Sequence, residues 1–531
     1  MKENFTRTGD ALARCTPEAV GVPSASILKL LDALEYGGFT QMHGLMIMRC
    51  GKICAEGWWA PYAPHLHHAL HSLSKTWTAT AIGLCEREGL LRVTDRVCDI
   101  LPEKMPDPLP ERVARITVRD LLTMSSGSET EKDDYSAHWI EDFFARPFEH
   151  EPGTFWRYNS HGTAILSAIA ERITRQSLVD YLTSHLLVKL GANGPQLMCR
   201  RGEDGTCLGG HGLFTTTEDN LRLMALYLDG GVWNGERLLN EQFVRDAISP
   251  MQDTAPAHAH TPWIRDNCCG YGYQIWRCRQ AGSYRADGAF GQFCVVIPEL
   301  QLIVSINETA YLGDQMTHRE LRLLKGRLGE DEPVHGPQQT LNALFELLIP
   351  AMKADVTALP ACDTSEILRK RLERLSLPRP AGSQPFAGEK RLDLTLASDE
   401  GGISFAPMYG MSKYNPDRPG AERIRLRCEG GRLSLDFDEG GARRGIVADM
   451  RGGYATGKLI YTDHLEIVTD VACAAWWDEQ GRLRLSILWY ETECENLYTF
   501  DFSSSRVHIR KTVGAGQMGS AQVCQASYRL L

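Results

Sequence analysis

A serine and a lysine three residues apart, Ser72-Leu73-Ser74-Lys75, stand at the head of the long apolar stretch 76–85. In a helix that spacing puts both side chains on one face, one turn apart. An ammonium beside a hydroxyl is one way to make a weak nucleophile attack a carbonyl. A helix N-terminus adds unpaired backbone N–H groups, which favour developing negative charge. The same spacing occurs in Ser26-Ile27-Leu28-Lys29, so context must separate the two copies. Around Ser26, leucines and isoleucine alternate with Lys29 and Asp32, the pattern of an amphipathic surface helix with a solvated lysine. After Lys75 no charge appears until Glu86, and Gly89 supplies a helix stop. Such a helix is buried, and a lysine at its mouth needs a partner. Ser72 is that partner.

Two further segments carry chemistry. Pro152-Gly153-Thr154-Phe155-Trp156-Arg157-Tyr158-Asn159-Ser160 leads into a second small-residue helix, 162–173. A tyrosine at such a loop-to-helix junction serves as a general base when a cation lowers its pKa from about 10, and Lys75 would be such a cation. Taken alone, Tyr158 reads as a structural, half-buried phenol rather than a base. The segment Ala286-Asp287-Gly288-Ala289-Phe290-Gly291-Gln292 runs into an apolar strand, 293–297. Glycines at a strand edge let a substrate approach the backbone, and an N–H there can share an oxyanion with the N–H of Ser72. Taken by itself, that segment reads as a turn or β-bulge rather than an oxyanion edge.

Together these three pieces, with Gly44 to Ile53, segments 90–102 and 116–127, Gly209-Gly210-His211-Gly212 and Gly270-Tyr271-Gly272-Tyr273, have a familiar order and spacing. Over about residues 15–325 the chain resembles the serine β-lactamase and penicillin-binding-protein superfamily. The likeness is to its class C-like branch, which includes D-alanyl-D-alanine carboxypeptidases and family VIII esterases. The resemblance implies an α+β fold, an antiparallel sheet flanked by helices. It makes Ser72 the acylated nucleophile, Lys75 its proton partner, and Tyr158 the general base and leaving-group acid. Ala289 N–H would join Ser72 N–H in the oxyanion hole, with Gly288 and Ala286 along the substrate edge. The branch usually carries asparagine two residues after the tyrosine. Here Ser160 stands there with Asn159 before it, so either can meet the substrate amide. A β-lactamase lysine opens the third motif where Ala286 stands, and its absence argues against efficient penicillin hydrolysis. Arg285 is adjacent, but neighbours on a strand face opposite ways. The implied reaction is two-step acyl transfer on a small ester, amide or D-amino-acid peptide, with no metal or organic cofactor. A penicillin-recognising fold that binds without turnover, and an acyltransferase using the same acyl-enzyme, are the alternatives.

Composition narrows the setting. At 531 residues the chain exceeds one domain, and 43% hydrophobic content is that of a globular protein. A net charge of −10, without a long basic run, argues against nucleic acid as a partner and leaves a small-molecule substrate. No apolar run approaches about 18 residues, so no membrane association is expected. The N-terminal decapeptide lacks an apolar signal core, which predicts a cytoplasmic protein; the oligomeric state is left open. The 16 cysteines are scattered without a Cys-x-x-Cys pair and read as free thiols of a reducing compartment. His65, His67, His68 and His71 have no carboxylate or cysteine ligand in their run, so they are expected to line the approach to Ser72 rather than hold zinc.

The pattern divides the chain into a hydrolase domain over 1–335, a helical connector and linker over 336–385, and a C-terminal antiparallel all-β domain over 386–531. The connector has helices at 341–348 and 365–377 and a Pro-rich linker at 378–385, after a charged break at 329–333. The last region shows period-two strands at 392–396, 423–427, 432–437 and 483–488, with Gly430-Gly431 and Gln480-Gly481 as hairpin turns. Its Trp476, Trp477, Trp489 and Tyr490 read as packing residues.

Overall fold

A computed structural model describes residues 12–130, 135–192, 197–261, 263–310, 335–360, 362–377, 392–398, 401–407, 419–461, 469–513 and 523–531. The expected linker at 378–385, the break at 329–333 and the N-terminal decapeptide lie outside the described residues. The rest forms two units, one from the described parts of 1–58, 64–308 and 328–375, the other from 59–63, 309–327 and 376–531.

The first unit is built on a seven-stranded sheet. Its strands are β1 (Ala13–Arg14), β2 (Thr40–Arg49), β3 (Lys52–Trp58), β4 (Trp276–Arg277), β5 (Tyr284–Gly288), β6 (Gln292–Ile297) and β7 (Leu302–Ala310), in the order β1-β3-β2-β7-β6-β5-β4. Pairing is antiparallel within β2–β3, β7–β6, β6–β5 and β5–β4, while the short β1 runs parallel to β3. The hairpin between β2 and β3 turns on Cys50-Gly51, both at positive φ. That conformation matches the right-handed twist of the flanking strands. Strands β6 and β7 are buried throughout, so their apolar side chains pack on both faces of the sheet.

The α-helices of eight or more residues described in this unit are α1 (Ser24–Tyr36), α2 (Ser74–Arg87), α3 (Ser160–Thr174), α4 (Thr217–Leu228), α5 (Gly336–Ala343) and α6 (Asp363–Leu372). In α2 every residue from Ser74 to Cys85 is buried, as its lack of charge predicts. Its buried threonine hydroxyls each find a backbone acceptor: Thr76 donates to Gln274 O at 2.9 Å, Thr78 to Gly209 O at 2.8 Å and Thr80 to Thr76 O at 2.7 Å. Trp77, wholly buried, donates its indole N–H to Asn220 Oδ1 at 2.9 Å. Helix α3 packs on α2 and brings the Tyr158 junction toward the serine turn. Helix α1 keeps Lys29 exposed, and its Ser26 hydroxyl donates to Pro23 O at 2.7 Å, a local hydrogen bond within the first turn. Helix α6 ends at Leu372, short of the expected 377, and Ser376 instead bridges Ala60 in extended geometry.

The second unit is all-β. Its strands are β8 (Leu392–Ser398), β9 (Ala421–Glu429), β10 (Arg432–Glu439), β11 (Ala442–Asp449), β12 (Ala455–Lys458), β13 (Asp470–Trp477), β14 (Leu483–Trp489), β15 (Cys494–Asp501), β16 (Arg506–Val513) and β17 (Val523–Leu530). Among the described residues nine of them follow one another as β11-β10-β9-β8-β17-β16-β15-β14-β13. The Asp449–Ala474 bridge joins β11 back to β13, and β12 pairs with β13 as a tenth strand. The result is barrel-like, which removes most free strand edges. Alternation sets its inside: Leu433, Leu435 and Phe437 on β10 are buried, as are Cys494, Asn496, Tyr498 and Phe500 on β15. Gly430 and Gly431 make the β9–β10 turn at φ 59° and 71°. Trp476, Trp489 and Tyr490 are buried packing residues. No helix among the described residues is long and apolar enough to cross a membrane. All 16 cysteines are free thiols.

Candidate active site

The single 3₁₀ turn His71–Leu73 runs directly into α2 and carries Ser72 at its centre. His71 adopts φ 49°, a left-handed conformation that a residue with a side chain rarely takes. It persists because the surroundings over-determine it. The His71 ring is fully buried and meets Phe290 edge-on, with centroids 5.3 Å apart. On either side, Leu70 N–H donates to Leu213 O at 3.0 Å, and Leu213 N–H donates to Ser74 Oγ at 3.0 Å.

Lys75 is 1% exposed, and its ammonium is surrounded by acceptors. Nζ donates to Ser72 Oγ at 3.1 Å, to Ser160 Oγ at 3.2 Å and to Gly210 O at 2.5 Å. It also lies 5.0 Å from the centre of the Tyr158 ring. Ser160 is the first residue of α3. Gly210 reaches the site because it has no side chain: a Cβ there would stand 2.6 Å from the Ser160 carbonyl oxygen. The Gly209-Gly210 pair counts in the sequence only as part of the family resemblance, and nothing there points to its carbonyl as a lysine partner.

Tyr158 is half-buried and its ring is fixed by other rings. It stacks on Trp276 with centroids 5.8 Å apart and planes at 20°, with Trp156 and Tyr271 beside it. Asn159 faces elsewhere. Its Oδ1 accepts from Gly162 N–H at 3.0 Å, capping α3, and its Nδ2 donates to Thr130 O at 3.3 Å. Loss of such a cap costs about 1 kcal/mol. Asn159→Ala is therefore expected to lower the melting temperature while leaving the KM for small esters unchanged. A thermal melt and steady-state kinetics check this together, and a raised KM would place Asn159 against substrate instead.

The third segment meets the serine turn through Gly288, the last residue of β5. A Cβ at Gly288 would stand 2.1 Å from Leu70 O and 3.2 Å from Leu73 N, so the strand edge lies flush on the turn that holds Ser72. Ala289 follows at the start of a short loop, with Phe290 at φ 62° and Gly291 at φ 87°. Ala286 is fully buried and packs in the apolar core with Tyr284, Cys294 and Val296. Arg285, on the opposite side of β5, is also fully buried. Its guanidinium is held by Asp287 at 2.7 Å, by Asn267 Oδ1 at 2.6 Å and by the Asp266 and Arg277 carbonyls at 2.9 Å each. Burial pushes the Asp287 carboxyl up, and the Arg285 charge and, more weakly, Lys75 pull it down.

Ser72, Lys75, Tyr158, Ser160, Gly288 and Ala289 thus come together, whereas the Asn159 and Ala286 side chains are used in a helix cap and in the core. The histidines also differ from expectation. His67, His68 and His71 are buried rather than lining an approach; His68 Nε2 lies 2.8 Å from His43 Nδ1, and only His65 is exposed. Among the described residues no group of three or more His, Cys, Asp or Glu is gathered to hold a metal. Burial holds the His211 imidazole well below its ordinary value, and Arg200 and Lys75 push it further the same way, so it is neutral at pH 7.

A serine turn, a buried lysine and a tyrosine gathered beside an antiparallel sheet define a serine-hydrolase type of site. The family model described as Beta-lactamase matches residues 31–324, more than half of the chain, and the chain belongs to this family of serine hydrolases. The 6-aminohexanoate-dimer hydrolase of Paenarthrobacter ureafaciens is 25% identical over 272 residues, covering 46% of this chain and 69% of that protein. Penicillin-binding protein 4 of Amycolatopsis lactamdurans is 28% identical over 258 residues, covering 41% of this chain and 65% of that protein. Among solved structures, the octameric penicillin-binding protein homologue from Pyrococcus abyssi aligns over 94% of this chain and 99% of its own, at 14% identity and a TM-score of 0.43.

Proposed function

We propose that the protein hydrolyses a small ester, amide or D-amino-acid peptide through an acyl-enzyme on Ser72. The observation that carries this reading is the position of Lys75 Nζ, 3.1 Å from Ser72 Oγ and 5.0 Å from the Tyr158 ring. In the first half-reaction Tyr158, polarised by Lys75, takes the Ser72 proton as Oγ bonds to the substrate carbonyl carbon. The oxyanion is met by the N–H groups of Ser72 and Ala289. Collapse of the tetrahedral species breaks the bond to the leaving group, which receives the proton from Tyr158. Water then repeats the sequence on the acyl-enzyme and releases the acid. The Arg285 guanidinium is committed to Asp287 and Asn267, and Ala286 packs in the core. That supports a substrate without a carboxylate at the strand edge and slow turnover of penicillins.

Intact-protein mass spectrometry with a fluorophosphonate or a p-nitrophenyl ester tests the reading. A Ser72-dependent mass increase supports it, and no adduct on the folded protein sinks it. Tyr158→Phe removes the proton carrier but keeps the ring packing, so single-turnover acylation is expected to slow by about 10²–10⁴. A rate within about threefold of the parent would move the general base to another group.

A further inference from the structure

At the far end of the loop that follows Gly288 lies a carboxyl group that the acyl-enzyme chemistry does not use. Glu308, near the end of β7, is fully buried. Its Oε2 accepts from Thr40 Oγ1 on β2 at 2.8 Å, and its Oε1 accepts from Thr340 Oγ1 on α5 at 2.8 Å. The carboxyl also lies flat against Gly291. A Cβ on that residue, which sits at φ 87°, would stand 1.9 Å from Oε1 and 2.7 Å from the carboxyl carbon. Next along the chain, Gln292 Nε2 donates to Glu308 O at 2.6 Å and to Ala289 O at 3.4 Å, and its Oε1 accepts from Asn307 Nδ2 at 3.0 Å. The loop 289–291 is therefore fixed at both ends. Gly288 rests on the Leu70 carbonyl, and Gly291 rests on Glu308.

We propose, on the footing of the acyl-enzyme reading above, that Glu308 is a positioning residue whose carboxyl backs the loop 289–291 and so aims the Ala289 N–H at the oxyanion. Burial pushes the Glu308 carboxyl up to about 8, against the opposite pull of the Thr340 and Thr40 hydroxyls. Those hydroxyls face it from α5 and β2, the Gly291 backbone faces it from the loop, and among the described residues no charged group shifts it. At pH 7 it is the neutral acid, and the oxygen that carries the proton then donates to one of the two threonine hydroxyls instead of accepting from it. A neutral acid leaves the oxyanion donors unopposed, whereas an ionised one puts negative charge behind the backbone that must stabilise a second negative charge.

The test follows fluorophosphonate labelling of Ser72 by intact mass, from about pH 6 to about pH 9.5, in the full chain and in Glu308→Gln. Titration of a group near 8 should lower the parent's labelling rate about tenfold from pH 7 to pH 9. Glutamine keeps the shape, an acceptor and a donor for the two threonines, and has no proton to lose, so the alkaline fall should vanish in Glu308→Gln. Thermal melts give a readout free of catalysis. Because the folded carboxyl titrates above its unfolded value of 4.5, the parent loses stability as pH rises through 4.5 toward about 8. The melting temperature of Glu308→Gln should therefore gain on the parent across that window. Superimposable alkaline limbs, or a parent rate with no alkaline fall, overturn the proposal. If Ser72 takes no label in either protein while the melts diverge as stated, the acyl-enzyme reading has failed, and the positioning role falls with it.

Discussion

Ser72→Ala is expected to abolish ester turnover, by about 10⁴ or more in kcat, because the proposed acyl-enzyme forms on its hydroxyl. The protein should still fold. Ser72 is only half-buried, and Ala fits the 3₁₀ turn while Lys75 retains Ser160 Oγ and Gly210 O as acceptors. Ser26→Ala makes the matched control: the same four-residue pattern, on α1, with its hydroxyl turned to Pro23 O. Turnover of a p-nitrophenyl ester and the fluorophosphonate adduct should disappear in the first variant and persist in the second. Equal loss in both would show that the identity of the serine, and with it the role of Lys75, had been misassigned.

Gly288→Ala should be the next most damaging single change. The new Cβ would stand 2.1 Å from the Leu70 carbonyl oxygen, a backbone atom that cannot swing aside. Either β5 retreats or the serine turn does, and the proposed oxyanion donors, the Ser72 and Ala289 N–H groups, are then displaced. Loss of one oxyanion donor typically costs about 10²–10³ in rate, and acylation by a p-nitrophenyl ester should fall by that amount. Forcing a methyl group into a packed site adds about 1–3 kcal/mol of destabilisation, visible as a lower melting temperature. At Gly457 nothing lies within 4 Å of the added atom, so Gly457→Ala should leave acylation unchanged. An undiminished rate in Gly288→Ala would mean that this strand edge does not serve the oxyanion.

Helix α2 and the pairing of β6 with β7 were legible because each is announced by consecutive residues: an uncharged run after Lys75, and two apolar strands around Pro298-Glu299. The barrel-like unit was legible from period-two runs and from Gly430-Gly431. The histidine run misled because its residue types allow both a lined approach and a packed interior. Contacts from β2, through His43, decide for the interior.

Residue type and spacing alone determined which groups are available for acyl transfer, since a hydroxyl and an ammonium one helical turn apart need no tertiary contact to share a face. Only the tertiary structure decided how the distant pieces meet. It leaves Ser160 facing Lys75, brings the Gly210 carbonyl to the ammonium, and presses Gly288 onto Leu70. The reason is packing: whether residues dozens to hundreds of positions apart touch depends on how helices and strands fill a shared interior, and no local period encodes that.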